Sequence, residues 1–286
     1  MNENPSTHQA PARAGRAWIT ATLAAVGAAM LIMVMGGSAF AASVNLSPSV
    51  VSSSTQIDTD TVTDLVVDAS YATVTIEFAD VEQATLDVKG PGLTNWTMRE
   101  EAGTLVVAST STFFGWTWGD DNGFSFPGLH RATAGTAIIT LPKSLERRGL
   151  DASLDLAGGD VRVNGEYRSL DIEMGAGRLT VDAEARELTL TLAAGSADVR
   201  ARGVRDADFE MSAGRMTAEL TGKAPRRVSV DVAAGTLDLT LPRAAYRVDV
   251  DNAVGGVRNR LTTSPRSNNV IEGDVAVGTL TLNEAR

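Results

Sequence analysis

The stretch SVDVAAGTLDLTL, residues 229–241, decides the fold, because it reads as a strand, a bend of small residues and a second strand. Apolar and polar residues alternate on both sides of Ala233, Ala234 and Gly235. Alternation with a period of two is typical of a strand that buries one face. Glycine suits the bend, because it tolerates positive φ and leaves room for a neighbouring segment.

The same bend recurs at intervals of 18 to 23 residues. The bend glycines are Gly159, Gly177, Gly195, Gly214, Gly235, Gly255 and Gly278, and Ala72 takes this place in an earlier copy. Aliphatic residues recur five and three positions before the glycine, and two and four positions after it. Two strands of about five residues cannot bury such a face alone. The copies are therefore expected to stack and to complete one another's core.

We predict an all-β fold, a β-helix-like solenoid of short two-strand rungs with glycine corners, over residues 61–286. An antiparallel sandwich with recurring hairpins is the alternative. Residues 61–148, which precede the regular copies, contain further predicted strands at LVVDASYATVTIEF, ATLDVKG, TLVVAST and TAIITLP.

The first sixty residues are predicted to direct the chain out of the cytoplasm. Residues 1–16 form a polar cytoplasmic tail, and residues 17–41 begin with an uncharged apolar run long enough to cross a bilayer as a transmembrane or signal helix. No Lys or Arg follows Arg16 until Lys89, an asymmetry that predicts a cytoplasmic N-terminus. Residues 42–60 are rich in Ser and Thr and are predicted to be a flexible linker.

Two outcomes for residues 17–41 stay open. The segment is long enough to remain as a single-pass anchor in the cell membrane, with the C-terminal domain outside. Small residues at Ala39 and Ala41 also fit signal-peptidase cleavage near Ala41, which would release a secreted domain.

Composition narrows the range of partners. The chain has no Cys, which excludes disulfides and Cys-ligated zinc sites, and its formal net charge is −10. Nucleic-acid binding relies on Lys and Arg at phosphates, so DNA and RNA are not expected as partners. Cationic ligands or basic protein surfaces suit this charge better.

A column of acidic residues, four positions before each bend, is the main candidate binding surface. Its members are Asp68, Asp155, Glu173, Thr191, Glu210, Asp231, Asp251 and Asp274. Stacked strands lie about 4.8 Å apart, so a ladder of carboxylates is predicted on an outer face. In one interpretation the ladder binds Ca²⁺ or a basic partner, since hard cations prefer several oxygens; the metal ligands would be Asp155, Glu173, Glu210, Asp231 and Asp251. In the other, it is a solvated face that resists edge aggregation.

An aromatic segment at residues 113–130 is the second candidate surface. It contains Phe113, Phe114, Trp116, Trp118, Phe124 and Phe126. Such a cluster is typical of a contact site for a partner, a glycan or a membrane surface. It equally suits a plug that seals the core of the solenoid.

No pattern of nucleophilic catalysis is evident, because His130 stands alone beyond the apolar segment and no Gly-x-Ser-x-Gly motif is present. No catalytic residue and no cofactor beyond Ca²⁺ is predicted. Two carboxylates across a groove would suit a glycosidase. The alternative function is therefore a carbohydrate-active enzyme on a β-helix scaffold.

The N-terminal membrane segment, the Ser/Thr spacer and the LxLxxAxGxLxV rungs together resemble the bacterial putative-adhesin family of unknown function. The resemblance covers residues 60–286. It implies a toast-rack-like extracytoplasmic domain of β-strand repeats that binds, adheres or signals in the envelope, with an envelope component or another protein as partner. It implies no active site. Asn252 and Asn259 depart from the apolar pattern and predict looser packing or a cap near the C-terminus.

Overall fold

The computed structural model describes residues 50–91, 94–111 and 135–285, and this part of the chain is almost entirely β-strand. Its strands form a single open sheet. The described part of the chain also contains one short helix, α1 (Lys143–Arg148). The strands are β1 (Val50–Ile57), β2 (Asp64–Ala79), β3 (Ala84–Pro91), β4 (Thr94–Glu101), β5 (Thr104–Ser111), β6 (Gly135–Pro142), β7 (Leu150–Arg202), β8 (Asp206–Thr221), β9 (Arg227–Leu241), β10 (Arg247–Asn259) and β11 (Val270–Glu284). The all-β prediction is confirmed.

Each rung has a first arm before its bend residue and a second arm after it, and neighbouring rungs pair in parallel with their bends aligned. Gly195 faces Gly214, which in turn faces Gly235. β7 also passes bends at Gly159 and Gly177, so one long strand contributes three rungs. The seven bend glycines have φ between 126° and 152°, a region that other residues rarely adopt. Parallel pairing of β7, β8, β9, β10 and β11 is incompatible with the antiparallel sandwich.

Aliphatic columns line the interior at the positions that the repeat predicts. On β8, Phe209 and Met211 of the first arm and Met216 and Ala218 of the second are at most 1% exposed. The residues between them face outward. Burial of one large apolar side chain is worth about 1.5–3 kcal/mol, so the shared interior holds the rungs together.

The last two rungs are stacked in the reverse of their chain order. β11 pairs in parallel with β9 on one side and with β10 on the other. The repeat predicts that the rungs stack but does not give their order, and at this end the spatial order departs from chain order. The physical reason lies in the apolar columns, where β10 carries Asn252 and Asn259. Polar side chains cost less free energy at the exposed end of a stack than between two rungs.

At the opposite end, two separate groups of strands cover β2. β5 pairs in parallel with the first arm of β2, and β6 pairs in parallel with its second arm. β4 extends the sheet beyond β5, while β3 and β1 extend it beyond β6, in antiparallel fashion. The sequence indicates β2, β3, β5 and β6. It does not reveal β4, whose segment TNWTMREE has few apolar residues.

β1 lies within residues 42–60, which the sequence predicts to be a flexible linker. Residues 50–57 instead pair with β3 along their whole length, so the linker prediction is wrong for them. In the described part of β1, Ile57 packs against the core and the polar residues from Ser53 to Gln56 are exposed. A strand of this kind leaves little apolar pattern for sequence reasoning to detect.

The predicted transmembrane or signal segment 17–41 and the aromatic segment 113–130 lie outside the described residues. Along the three described ranges, no helix has the length and apolar character needed to cross a membrane. Both segments therefore stay predictions.

Candidate functional site

The first arms carry the predicted carboxylates on their outer side in one line, which we call the acidic column. Its spatial order is Asp68, Asp155, Glu173, Thr191, Glu210, Asp231, Asp274 and Asp251. All five carboxylates predicted as metal ligands belong to the column. Asp274 separates Asp231 from Asp251, because β11 lies between β9 and β10.

Four carboxylates of the acidic column follow one another without interruption. Glu210 faces Asp231, Asp231 faces Asp274, and Asp274 faces Asp251, on strands about 4.8 Å apart. None of the four forms an ion pair with any residue in the described part of the chain. The result is a line of negative charge along the C-terminal half of the stack.

A second set of carboxylates lies two residues before the acidic column on the same arms. It consists of Asp171, Asp208, Glu272 and Asp249. Glu272 and Asp249 face each other, and Arg227 Nε lies 3.8 Å from Glu272 Oε1. This second line is discontinuous, because Thr189 and Ser229 occupy two of its positions.

Burial, with smaller contributions from neighbouring carboxylates, raises the pKa of two carboxyls on this face. Burial raises the pKa of Asp171, and the nearby Glu173 and Asp208 raise it further. Burial also raises the pKa of Asp68, with a smaller contribution from Asp155. Both residues thus hold a proton more readily than a free aspartate does. A bound cation or protonation would reduce the repulsion between the carboxylates on this face.

Small residues beside the acidic column leave a shallow depression. Glu210, Asp231 and Asp274 form one side of it, and the other lining residues are Met211, Val232, Ser212, Ala233 and Ala276. The last three stand two positions before their bends, where every rung carries a small residue. A partner approaching the bends would therefore reach the carboxylates without obstruction.

The carboxylates run along the stack instead of surrounding a point. Across the described ranges, no three or more His, Asp or Glu side chains are grouped so that they could hold a metal ion.

A basic column lies at the corners that link one rung to the next, and the alignment on glycines does not reveal it. Arg168, Arg186, Arg205 and Arg226 each stand nine residues before a bend. The Arg205 N–H donates to the Arg186 carbonyl at 2.8 Å, and the Arg226 N–H donates to the Arg205 carbonyl at 2.7 Å. All four side chains are exposed. The sequence signal for this basic column is the spacing of the four arginines, which equals the spacing of the bend glycines that follow them.

Local carboxylates partly neutralise this basic column. Arg168 pairs with both carboxylate oxygens of Asp151, with Nε 2.7 Å from Oδ1, and this contact raises the pKa of Arg168. Arg205 Nε lies 3.5 Å from Asp206 Oδ2. The corners therefore carry mixed charge, whereas the acidic column is of one sign.

Comparisons with known proteins find similar solved structures at low sequence identity. No protein-family model matches the chain, and no curated protein matches it. A putative cell adhesion protein from Clostridium sporogenes is 9% identical, with a TM-score of 0.39 over 83% of this chain and 100% of that one. A putative adhesin from Bacteroides fragilis is 14% identical, with the same TM-score and coverage. A putative lipid binding protein from Parabacteroides distasonis is 15% identical, with a TM-score of 0.39 over 82% of this chain and 97% of that one.

Proposed function

We propose that the chain is a non-enzymatic binding protein of the cell envelope, membrane-anchored or exported, whose acidic column holds a cationic partner. In this proposal the stacked rungs are a β-helix-like solenoid that presents the column as a straight, rigid surface. A basic protein segment is the partner that the chemistry favours, because its Lys and Arg side chains can follow a line of carboxylates.

The observation that carries the proposal is the uninterrupted run of Glu210, Asp231, Asp274 and Asp251. Neighbouring like charges repel by up to about 1 kcal/mol through water, so each carboxylate raises the free energy of the next. This repulsion is present along four successive rungs, and no residue in the described part of the chain offsets it with an ion pair. A bound polycation would remove the repulsion and gain Coulomb energy as well.

The test uses the full chain with poly-L-lysine as the probe, and poly-L-glutamate as the oppositely charged control. Poly-L-lysine should bind at low salt and weaken as the Debye length falls below about 8 Å. The triple variant Glu210→Gln, Asp231→Asn, Asp274→Asn should bind about tenfold more weakly, since three contacts of about 0.5 kcal/mol are lost.

A matched control neutralises three carboxylates on second arms, Asp182→Asn, Asp198→Asn and Asp238→Asn. This variant has the same net charge as the first and should bind poly-L-lysine almost as well as the unaltered chain. Equal weakening by both variants would mean that net charge alone attracts the probe, and the acidic column would lose its assigned role. Turnover of a polysaccharide by the full chain would overturn the non-enzymatic part of the proposal.

A further inference from the structure

The exposed end of the stack at β10 has the features of an interface. β10 pairs with β11 on one side, and no other described strand lies on its opposite edge. Residues 262–264 cross beside the beginning of β10, where the Ser264 N–H donates to the Tyr246 carbonyl at 2.8 Å. From Val248 onward no described strand pairs with this edge, although Thr263, Ser264 and Pro265 line the same cavity as Val248.

Inward-facing valines of β10 are less buried than their counterparts one and two rungs inward. Val248, Val250 and Val257 are only partly buried, and they border a cavity at this end of the stack. The equivalent residues of β9, including Val230 and Leu237, are fully buried. The core therefore ends unfinished at β10 and would be completed by one more rung.

Two further valines mark the corner of this end. Val254 and Val277 face each other at the bends of β10 and β11, with 64% and 54% of their surface exposed. The bends of the inner rungs carry Ala at the same position in β8 and β9. Exposed valines next to an unpaired edge are costly unless another surface covers them.

The two arms of β10 carry opposite charges. After Arg247, the first arm presents Asp249 and Asp251, and the second arm and the residue after it present Arg258 and Arg260. All four are exposed, and none forms an ion pair within the described residues. On the inner side, β10 places Asp249 against Glu272 and Asp251 against Asp274, so the cross-strand partners of both aspartates are acidic.

We infer that β10 pairs with β10 of a second copy in antiparallel register, across a two-fold axis at the bend. A two-fold axis lays the acidic first arm of each copy against the basic second arm of the other. Asp249 then faces Arg260 of the second copy, and Asp251 faces Arg258. The same contacts occur twice, as isologous symmetry requires.

Backbone geometry agrees with this register. The Arg247 backbone N–H donates to the Asn269 carbonyl at 2.8 Å, and the Arg260 backbone N–H donates to the Leu282 carbonyl at 2.9 Å. Both groups therefore point toward the β11 side of β10. Since successive residues of a strand alternate in direction, Val250 and Asn259 point their N–H and C=O groups to the open edge. In the inferred register these two residues face each other and exchange hydrogen bonds. The Asp–Arg pairs fall on the non-hydrogen-bonded positions, where side chains approach more closely.

The first experiment uses the absence of Cys from the chain. In the variant Val254→Cys, the two thiols lie beside the axis, at a Cα separation of about 6 Å that a disulfide can span. Mild oxidation of the full chain in detergent should convert most of it to a covalent dimer. The control Val81→Cys places an exposed thiol on the turn after β2 and should stay monomeric. An unlinked Val254→Cys chain, or a Val81→Cys chain that links equally well, would overturn the inference.

The second experiment reverses charges and keeps the test independent of folding. Asp251→Arg and Arg258→Asp should each lower the dimer fraction at least fivefold in sedimentation measurements, because each brings like charges together. The double variant should restore dimers, since its pairs are again opposite. Asp198→Arg, on the second arm of an inner rung, should leave the dimer unchanged. A double variant that stays monomeric would rule out the inferred register. Asp251 also belongs to the acidic column, but Arg258→Asp leaves every carboxylate of that column in place. Loss of the dimer in Arg258→Asp is therefore separable from loss of poly-L-lysine binding.

Discussion

Gly278 lies directly against Gly235, and Gly255 lies on the far side of Gly278. Each bend glycine packs so closely on the next that a Cβ atom would overlap the neighbouring carbonyl oxygen. The bends therefore form a continuous column of backbone contacts with no space for side chains.

Replacement of Gly235 by Ala should destabilise the stack severely. The added Cβ would overlap the Gly214 carbonyl oxygen, and φ is +134°, a region that costs other residues about 1–3 kcal/mol even without a clash. We expect a loss of more than about 2 kcal/mol in the free energy of unfolding, measured by urea denaturation.

The control for this change is Gly256→Ala, one residue after the bend of β10. A Cβ at Gly256 meets nothing within 4 Å, so the midpoint of unfolding should not fall. Equal losses at Gly235 and Gly256 would show that general chain flexibility, and not bend packing, explains the glycines.

Removal of residues 270–286, which include β11, should also release β10 from the stack. Within its own chain β10 has β11 as its strand neighbour, so the truncated chain no longer holds β10 against the stack. Amide hydrogen exchange in β10 should accelerate about 100-fold or more, while β8 should remain protected. Retained protection in β10 would mean that it can move inward and pair with β9.

Replacement of Tyr246 by Phe should cost about 1–2 kcal/mol at neutral pH. The buried Tyr246 hydroxyl donates to the Pro242 carbonyl at 2.8 Å, and the variant leaves that carbonyl without its donor. Burial and the nearby Glu284 raise the pKa of Tyr246 from 10.0 to about 12. A raised folded-state pKa means that the neutral phenol stabilises the fold, and that this stability declines as pH rises from 10 toward 12. Urea titrations at pH 7 and pH 11 should therefore show a smaller difference between Tyr and Phe at the higher pH. A constant difference would contradict the assignment.

Replacement of Asp171 by Asn should stabilise the protein at neutral pH by less than about 1 kcal/mol. The pKa of Asp171 is raised by burial, then by Glu173 and Asp208, so its ionised form opposes folding. The penalty is absent below the ordinary value of 3.8 and reaches its full size once pH exceeds the raised pKa. The melting temperature of Asp171→Asn should exceed that of the unaltered chain at pH 7, and the two should converge at pH 3. The control Asp198→Asn removes the same charge from an exposed site without relieving burial, so its melting temperature at pH 7 should not exceed that of the unaltered chain.

The rung architecture could be predicted because the same physical requirement recurs in every copy. A residue such as Phe209 must fill the core, and a residue such as Gly214 must leave room for its neighbour, so both appear at fixed spacing. The outward position of Glu210 and Asp231 follows from strand alternation alone. The acidic column could therefore be placed on one face before any coordinates were known.

The order of the last rungs could not be predicted, because alignment on bends gives register without giving neighbours. Asn252 and Asn259 indicated an end of the stack, but they did not indicate that β11 would precede β10 in space. β1 and β4 also escaped detection. Each lies at an outer edge, where pairing needs only a backbone and the side chains carry little apolar periodicity.

The position of β11 between β9 and β10 has a consequence for biogenesis. During synthesis, each strand from β7 to β9 can settle onto its predecessor as soon as it emerges. β10 emerges next, but it cannot form its final strand pairing until β11 has been synthesised. β11 is therefore the strand that joins β10 to the rest of the stack. A chain that lacks it has unpaired strand edges at β9 and at β10, which a protease or a chaperone can recognise.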